Sequence, residues 1–172
     1  MRVKKYFVIG LVIIIILPSV SDAQFIDGTS ILGAHIGVSN VAKATVLGVK
    51  FETVITNAGS GVIGFGAIAD YYSYNAGDFG TQTYIFINAS ALYHLKLDDG
   101  SFDPFFGIGA GYLIEKNTYP PTGGIAYYNT DGSGFKAVIS IGARYFLSPT
   151  VALRLEFGSS LVYAVGGIDF GF

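Results

Sequence analysis

The chain has 172 residues, of which 51% are hydrophobic and only 13% are charged, and its mean hydropathy is +0.53. Its formal charge of −2 at pH 7 does not favour nucleic acid as a partner. The absence of cysteine excludes disulfides and a lipidated N-terminal cysteine. A chain this apolar, without a long apolar helix after its N-terminal segment, favours a membrane crossed by strands.

The N-terminal segment has the layout of a secretory signal peptide. Basic residues at positions 2, 4 and 5 precede an apolar run at 6–17, and small residues at 21 and 23 suit a signal peptidase. The run is shorter than the roughly twenty residues of a membrane-spanning helix, which disfavours the alternative of a retained anchor. We therefore expect residues 1–23 to be a signal peptide cleaved after about Ala23, which leaves one domain from Gln24 to Phe172.

Along the rest of the chain, apolar residues alternate with other residues at the period of two that is typical of β-strands. The predicted strands, in chain order, are Ile31–Ser39, Ala44–Ile55, Val62–Tyr74, Tyr84–Leu97, Phe105–Glu115, Phe135–Phe146, Val151–Gly158 and Leu161–Phe172. Most of them approach or exceed the nine to eleven residues that a tilted strand needs to cross a bilayer. The pattern predicts an all-β fold, an eight-stranded antiparallel up-and-down transmembrane β-barrel.

The connections between these strands differ in length in an ordered way. Most are short, the one at 75–81 is intermediate, and the one at Lys116–Gly134 is long and polar. If the N-terminus lies in the periplasm, both longer connections are extracellular, as in bacterial barrels with short periplasmic turns. The stretch LDDGSFDP at 97–104 is then a periplasmic turn, because its acidic residues do not have the spacing of a calcium loop.

Strand parity assigns one face of the predicted barrel to lipid. The lipid-facing positions are Phe51, Phe65, Ile85, Ile87, Phe106, Ile108, Ile139, Ile141, Leu153, Leu155 and Phe157. Every charged residue within the predicted strands lies on the opposite parity. This distribution argues against a soluble lipocalin-like barrel with an apolar interior, and a two-sheet sandwich fits the period but not the hydropathy.

The opposite parity predicts a polar network in the lumen, where an eight-stranded barrel is just wide enough to be filled by side chains. Its members are Lys50, Glu52, Asp70, His94, Lys96, Glu115, Lys136, Arg144, Arg154, Glu156 and Asp169. Because buried charges must be paired, we expect a structural polar core, with Glu115 facing Lys136 and a second group in the periplasmic half. That second group is Arg144, Arg154, Glu156 and Asp169. Inward glycines are expected to leave room for Tyr72, Tyr84, Phe86 and Phe105.

Three stretches, PFFGIGAGYLI at 104–114, GARYFLSPTVALRLEFG at 142–158 and the terminal DFGF, resemble the small outer-membrane β-barrel family that includes OmpA-like and OmpX-like proteins. The resemblance implies an outer-membrane location and a last strand that the outer-membrane assembly machinery reads. The positions that match this assembly signal are Tyr163, Ile168, Phe170 and Phe172. Members of this family are often described as porin-like.

The expected function is that of a non-enzymatic structural or surface-display barrel. The long loop carries Tyr119, Tyr127 and Tyr128, which suit binding of an extracellular partner because tyrosine is rigid and amphipathic. The alternatives are narrow porin-like transport and, less favoured, a lipid A-modifying enzyme built on His94 and Ser90, for which no acid is obviously placed. We expect no cofactor, no metal and no catalytic residue, and a monomer whose partners are outer-membrane lipid and the assembly machinery.

Overall fold

The computed structural model describes residues 28–77, 80–98, 100–118, 132–158 and 162–172. The predicted signal peptide with its cleavage site, and the loop residues Tyr119, Tyr127 and Tyr128, lie outside the described residues. Eight strands account for most of the described chain. They are β1 (Ser30–Ser39), β2 (Thr45–Ala58), β3 (Gly61–Asn75), β4 (Thr81–Leu95), β5 (Phe102–Thr118), β6 (Gly134–Ser148), β7 (Val151–Gly158) and β8 (Val162–Gly171).

The strands form a closed barrel in which each strand pairs antiparallel with the next and β8 pairs with β1. The closing pair runs from Ile31 opposite Gly171 to Ser39 opposite Val162. The predicted fold, an eight-stranded antiparallel up-and-down barrel, is confirmed. No helix in the described ranges is long and apolar enough to cross a membrane.

Several strand ends differ from their predicted positions. β5 begins at Phe102 and continues to Thr118, whereas the sequence pattern suggested Phe105–Glu115. The early start arises because Phe102 and Asp103 already pair with Tyr145 and Arg144 of β6. The turn expected at 97–104 is therefore shorter, and its last residues belong to the barrel wall.

The two faces of the wall are separated as the alternation predicts. In the described part of the chain, the interior contains two clusters of buried apolar side chains, one of which comprises Val46, Tyr72, Tyr84, Phe86, Leu113 and Val138. The outer face is apolar and exposed: of the eleven positions predicted to face lipid, nine are exposed and Ile85 and Leu153 are partly exposed. Since charge is inside and large apolar side chains are outside, this surface suits the hydrocarbon of a bilayer, and the barrel is a transmembrane one.

Glycines give the large interior rings their space. A Cβ atom at Gly111 would lie 2.5 Å from Cζ of Phe86, and one at Gly142 would lie 2.5 Å from Cζ of Phe105. Both distances are far shorter than a van der Waals contact, so these positions cannot carry a side chain while the rings stay in place. For Phe86 and Phe105, the expectation that inward glycines make room is confirmed.

A β-bulge in β8 explains how Tyr163 is exposed together with Ile168, Phe170 and Phe172, although its number has the opposite parity. The register with β1 shifts between Val38, which is opposite Ala164, and Ser39, which is opposite Val162. Tyr163 is thus the extra residue, and the bulge turns its ring outward. All four positions proposed to form the assembly signal are exposed on the outer surface.

Candidate functional site: the charged lumen

Among the described residues, ten ionisable side chains are packed inside the barrel, and every strand contributes at least one. We call them the lumen cluster: His35 (β1), Lys50 and Glu52 (β2), Asp70 (β3), His94 (β4), Asp103 (β5), Arg144 (β6), Arg154 and Glu156 (β7) and Asp169 (β8). All ten are buried, each with 6% or less of its surface exposed. The alternation of each strand places them inside, and the antiparallel register then brings them to similar heights in the lumen.

Arg144 is the centre of the cluster and has no exposed surface. Its Nε donates to Asp169 Oδ2 over 2.7 Å, and its Nη1 donates to Asp103 Oδ2 and Glu52 Oε1 over 3.1 Å each. Its Nη2 donates to the second oxygen of Glu52. The guanidinium carbon also lies 5.1 Å from the centre of the Phe105 ring, within the range of a cation–π contact. One guanidinium therefore joins carboxylates from three strands.

A second group surrounds Arg154. Its Nε donates to Asp169 Oδ2 over 3.0 Å, and its Nη1 donates to Glu156 Oε2 over 2.9 Å. Lys50 Nζ donates to the same Glu156 oxygen over 2.9 Å and lies 3.4 Å from Glu52. Asp169 thus connects the two arginines, and Lys50 connects the two glutamates, so the two groups form one continuous network.

The two histidines have different environments. In His94, Nε2 lies 2.7 Å from Glu52 Oε1 and Nδ1 lies 2.8 Å from Asp103 Oδ1. Carboxylates on both sides are satisfied when both ring nitrogens carry hydrogens, as they do in the imidazolium form. In His35, Nε2 lies 2.6 Å from Asp70 Oδ1, while Arg154 Nη2 lies 3.3 Å from Nδ1. That arrangement suits the neutral ring, in which Nε2 donates to Asp70 and Nδ1 accepts from Arg154.

The structure corrects three members of the predicted network, Lys96, Lys136 and Glu115. Lys96 lies beyond the end of β4, is exposed, and donates from Nζ to Asn57 Oδ1 over 2.7 Å. Lys136 has inward parity but is exposed, and its register partner is Gly111, not Glu115. The reason is that pairing between β5 and β6 ends at Leu113 opposite Gly134, so Glu115 extends past it.

Glu115 itself is partly buried outside the lumen cluster. Its Oε1 accepts a hydrogen bond from Asn117 Nδ2 over 3.2 Å, and its backbone N–H donates to Ser133 Oγ over 3.0 Å. The remaining eight predicted members lie in the cluster, and Arg144, Arg154, Glu156 and Asp169 lie together as expected.

Sequence reasoning left two residues out of the predicted network, Asp103 and His35. Asp103 looked like part of a turn because it follows a stretch rich in Asp, Gly and Ser. It shares the parity of Phe105 and Gly107, and extending that parity by one step would have placed it inside. His35 has inward parity as well, but a lone histidine gives no sequence signal of its partner on β3.

The geometry around His94 is that of an ion-paired side chain and does not match a hydrolytic triad. The expectation that no acid is placed for His94 is wrong, since both Glu52 and Asp103 contact it. Both ring nitrogens are then engaged, so neither can accept a proton from a serine. Ser90 Oγ donates instead to Asn88 Oδ1 over 3.4 Å. In the described part of the chain, no group of three or more His, Cys, Asp or Glu residues is arranged to hold a metal ion.

The lumen contains a small cavity. A cavity of about 40 Å³ lies beside the cluster and is lined on its polar side by His35, Asp70, Asn88, Ser140, Arg154 and Glu156. A buried water needs roughly 10–15 Å³ by this measure, so the cavity has room for about three waters. A cavity of this size is too small for the passage of a solute.

No protein-family model and no curated protein sequence matches the chain. Among solved structures, it is similar to a de novo designed transmembrane β-barrel, with a TM-score of 0.61 and 16% identity, over 87% of this chain and 99% of that one. It is also similar to Ail, the attachment invasion locus protein of Yersinia pestis, solved with the heparin analogue sucrose octasulfate. That match has a TM-score of 0.59 and 10% identity, over 86% of this chain and all of Ail.

A third similar structure is the outer-membrane enzyme PagL, with a TM-score of 0.52 and 14% identity, over 81% of this chain and 98% of PagL. The fold is that of the small outer-membrane β-barrels. A designed protein, an attachment protein and an enzyme share this outer-membrane barrel fold, so the fold leaves the activity open. The side chains in the lumen and on the surface have to carry the functional argument.

Proposed function

We propose that this chain is an integral outer-membrane protein that anchors in the bilayer by its barrel and presents its outer loops at the cell surface, with a lumen closed to solutes. The observation that carries the proposal is the lumen cluster, in which ten buried ionisable groups from all eight strands are tied together by ion pairs. A selective pore needs a water-filled path, whereas this lumen is filled by side chains at the level of the cluster.

The proposed location has its own support and test. The outward apolar band and the likeness to outer-membrane barrels both fit this membrane, and the signal-like segment at 1–23 fits export. Cell fractionation should recover the protein with outer-membrane markers, and unheated samples should migrate differently from boiled ones in detergent gels. Recovery in the inner membrane or in the soluble fraction would refute the proposal.

Closure of the lumen can be tested by planar-bilayer recording. The wild-type barrel should show no steady conductance, because crossing the lumen requires breaking several buried ion pairs at once. The double variant Glu52→Gln with Arg144→Met removes the central ion pair of the lumen cluster, so its lumen should present a weaker barrier to ions. Large, stable openings in the wild type would instead support the porin-like alternative.

The display role rests on the long connection after β5. Its tyrosines, Tyr119, Tyr127 and Tyr128, suit contact with an extracellular partner. Replacing 119–131 by a Gly-Ser linker of equal length should leave insertion intact and reduce adhesion of the producing cells to host-cell or abiotic surfaces. A second variant of the same loop length replaces only the three tyrosines by serine and so tests the tyrosine side chains separately. Unchanged adhesion in both variants would remove the display role and leave the anchor.

A further inference from the structure

Among the described residues, the ladder between β6 and β7 is shorter than the ladder between β5 and β6, and we call the point where it ends the notch. β7 has eight residues, and its pairing with β6 ends at Ser140 opposite Gly158. β6 continues outward for six further residues, Gly134–Ile139, which among the described residues pair with β5 on one side only.

A groove of about 480 Å³ lies on the lipid-facing side of the notch. We call it the seam groove, and its walls are the apolar side chains of Phe106, Ile139, Ile141 and Phe157 together with the ring of Tyr163. All five are exposed on the outer surface of the barrel. The seam groove is thus continuous with the apolar band that contacts the bilayer.

Two small residues lie between the groove and the lumen. Ser140 and Gly158 line both the seam groove and the small cavity inside the lumen. Gly158 has no side chain, and the Ser140 hydroxyl is turned inward, where its oxygen would lie 2.9 Å from a Cβ atom at Gly107. Of the described residues, the two that line both spaces thus carry no large side chain.

We propose that the seam groove binds one acyl chain of a lipid from the outer leaflet of the surrounding bilayer, held more tightly than the lipids around the rest of the barrel. The inference rests on the proposed membrane placement. The occupant must be apolar because the walls are apolar, and it must come from the bilayer because the groove opens onto the lipid-facing band. The Tyr163 ring stands beside the groove at the outer end of β8, which suits the level of the polar headgroup.

Native mass spectrometry of barrel extracted from outer membranes in a mild detergent tests the site directly. The wild type should retain one lipid per barrel. Ile139→Phe fills the groove and should lower the retained fraction about tenfold, the change expected when roughly two buried CH₂ groups lose their contacts. Ile87→Phe makes the same change at an exposed lipid-facing position on β4, and this control should retain lipid as the wild type does.

A second change on another wall of the groove protects the test against misfolding of one variant. Ile141→Phe enlarges an exposed side chain that lines the same groove on the outer face of the barrel. This variant should also retain less lipid. Heat-modifiable migration in the gel shows that each variant is folded, which separates failure of this inference from failure of the membrane proposal.

Three results would overturn the inference. They are a wild-type barrel that carries no lipid, equal retention in Ile139→Phe and Ile87→Phe, and a retained mass that belongs to a free fatty acid rather than a lipid. Each of them is compatible with a folded outer-membrane barrel, so the proposed function would stand.

Discussion

Replacing Arg144 with methionine is expected to lower the free energy of unfolding by about 3 kcal/mol, because the change leaves three buried carboxylates without their shared cation. These carboxylates are Glu52, Asp103 and Asp169, and each accepts a hydrogen bond from Arg144. Methionine has a similar length and no charge, so the loss concerns the ion pairs more than the packing volume.

The size of this loss follows from the partners that each carboxylate retains in the variant. Removing one partner of a buried ion pair typically costs about 3–5 kcal/mol. In the variant, Asp169 keeps Arg154, Asp103 keeps His94, and Glu52 keeps His94 and Lys50. None is left wholly unpaired, which places the expected loss near the lower end, equivalent to roughly a hundredfold in the unfolding equilibrium.

The assay is reversible unfolding in urea with the barrel in phospholipid vesicles. The chain contains no tryptophan, so unfolding is followed by tyrosine fluorescence and by the fraction that migrates as folded in an unheated gel. Lys136→Met is the matched control, because it also exchanges a cation for methionine at a position of inward parity. Since Lys136 is exposed, this variant should change the free energy of unfolding by less than about 0.5 kcal/mol. A loss below about 1 kcal/mol for Arg144→Met would refute the reasoning.

Two further predictions concern a glycine and the C-terminus. Gly48→Ala would bring a Cβ atom within 2.3 Å of both His35 Nε2 and Asp70 Oδ1, and the forced shift should cost about 1–3 kcal/mol in the same urea assay. Gly134→Ala, where a Cβ atom would meet nothing within 4 Å, should be close to neutral; equal stability of the two variants would contradict the packing argument. Phe172→Gln should reduce the amount of barrel in the outer membrane more than the stability of barrel already folded; unchanged membrane levels would leave Phe172 as an interface anchor only.

The strands and the faces could be predicted from the sequence because they depend on local alternation. Phe51 and Glu52, for example, had to face opposite sides of any strand that contains them. The partners within the lumen could not be predicted in the same way, because they depend on register between strands. Lys136 and Glu115 have compatible charge and parity, but β5 and β6 pair four residues out of step with that contact.

Asp103 was left out of the predicted lumen network because of its local sequence. Its local context of Asp, Gly and Ser indicates a turn, and tertiary pairing with Arg144 overrides that tendency. Once it is placed inside, the lumen cluster contains five carboxylates against Lys50, Arg144 and Arg154, and the imidazolium form of His94 reduces the imbalance. The two residues that the sequence analysis left out or left without a partner, Asp103 and His94, thus contact each other.

The lumen cluster also specifies the register between strands, which the apolar alternation alone does not fix. A slip of one residue between two strands turns each side chain to the wrong face, so hydrophobicity alone excludes it. A slip of two residues returns apolar side chains to the lipid and polar side chains to the lumen, so burial in the bilayer does not disfavour it. Such a slip nevertheless moves each side chain about 7 Å along the neighbouring strand. Contacts such as Arg144 Nε to Asp169 Oδ2 at 2.7 Å and Lys50 Nζ to Glu156 Oε2 at 2.9 Å do not survive such a move. We therefore expect Glu52→Gln with Arg144→Met to fold with a less uniform register, visible as additional amide resonances in NMR spectra, whereas a single set of resonances would show that the turns fix the register without the cluster.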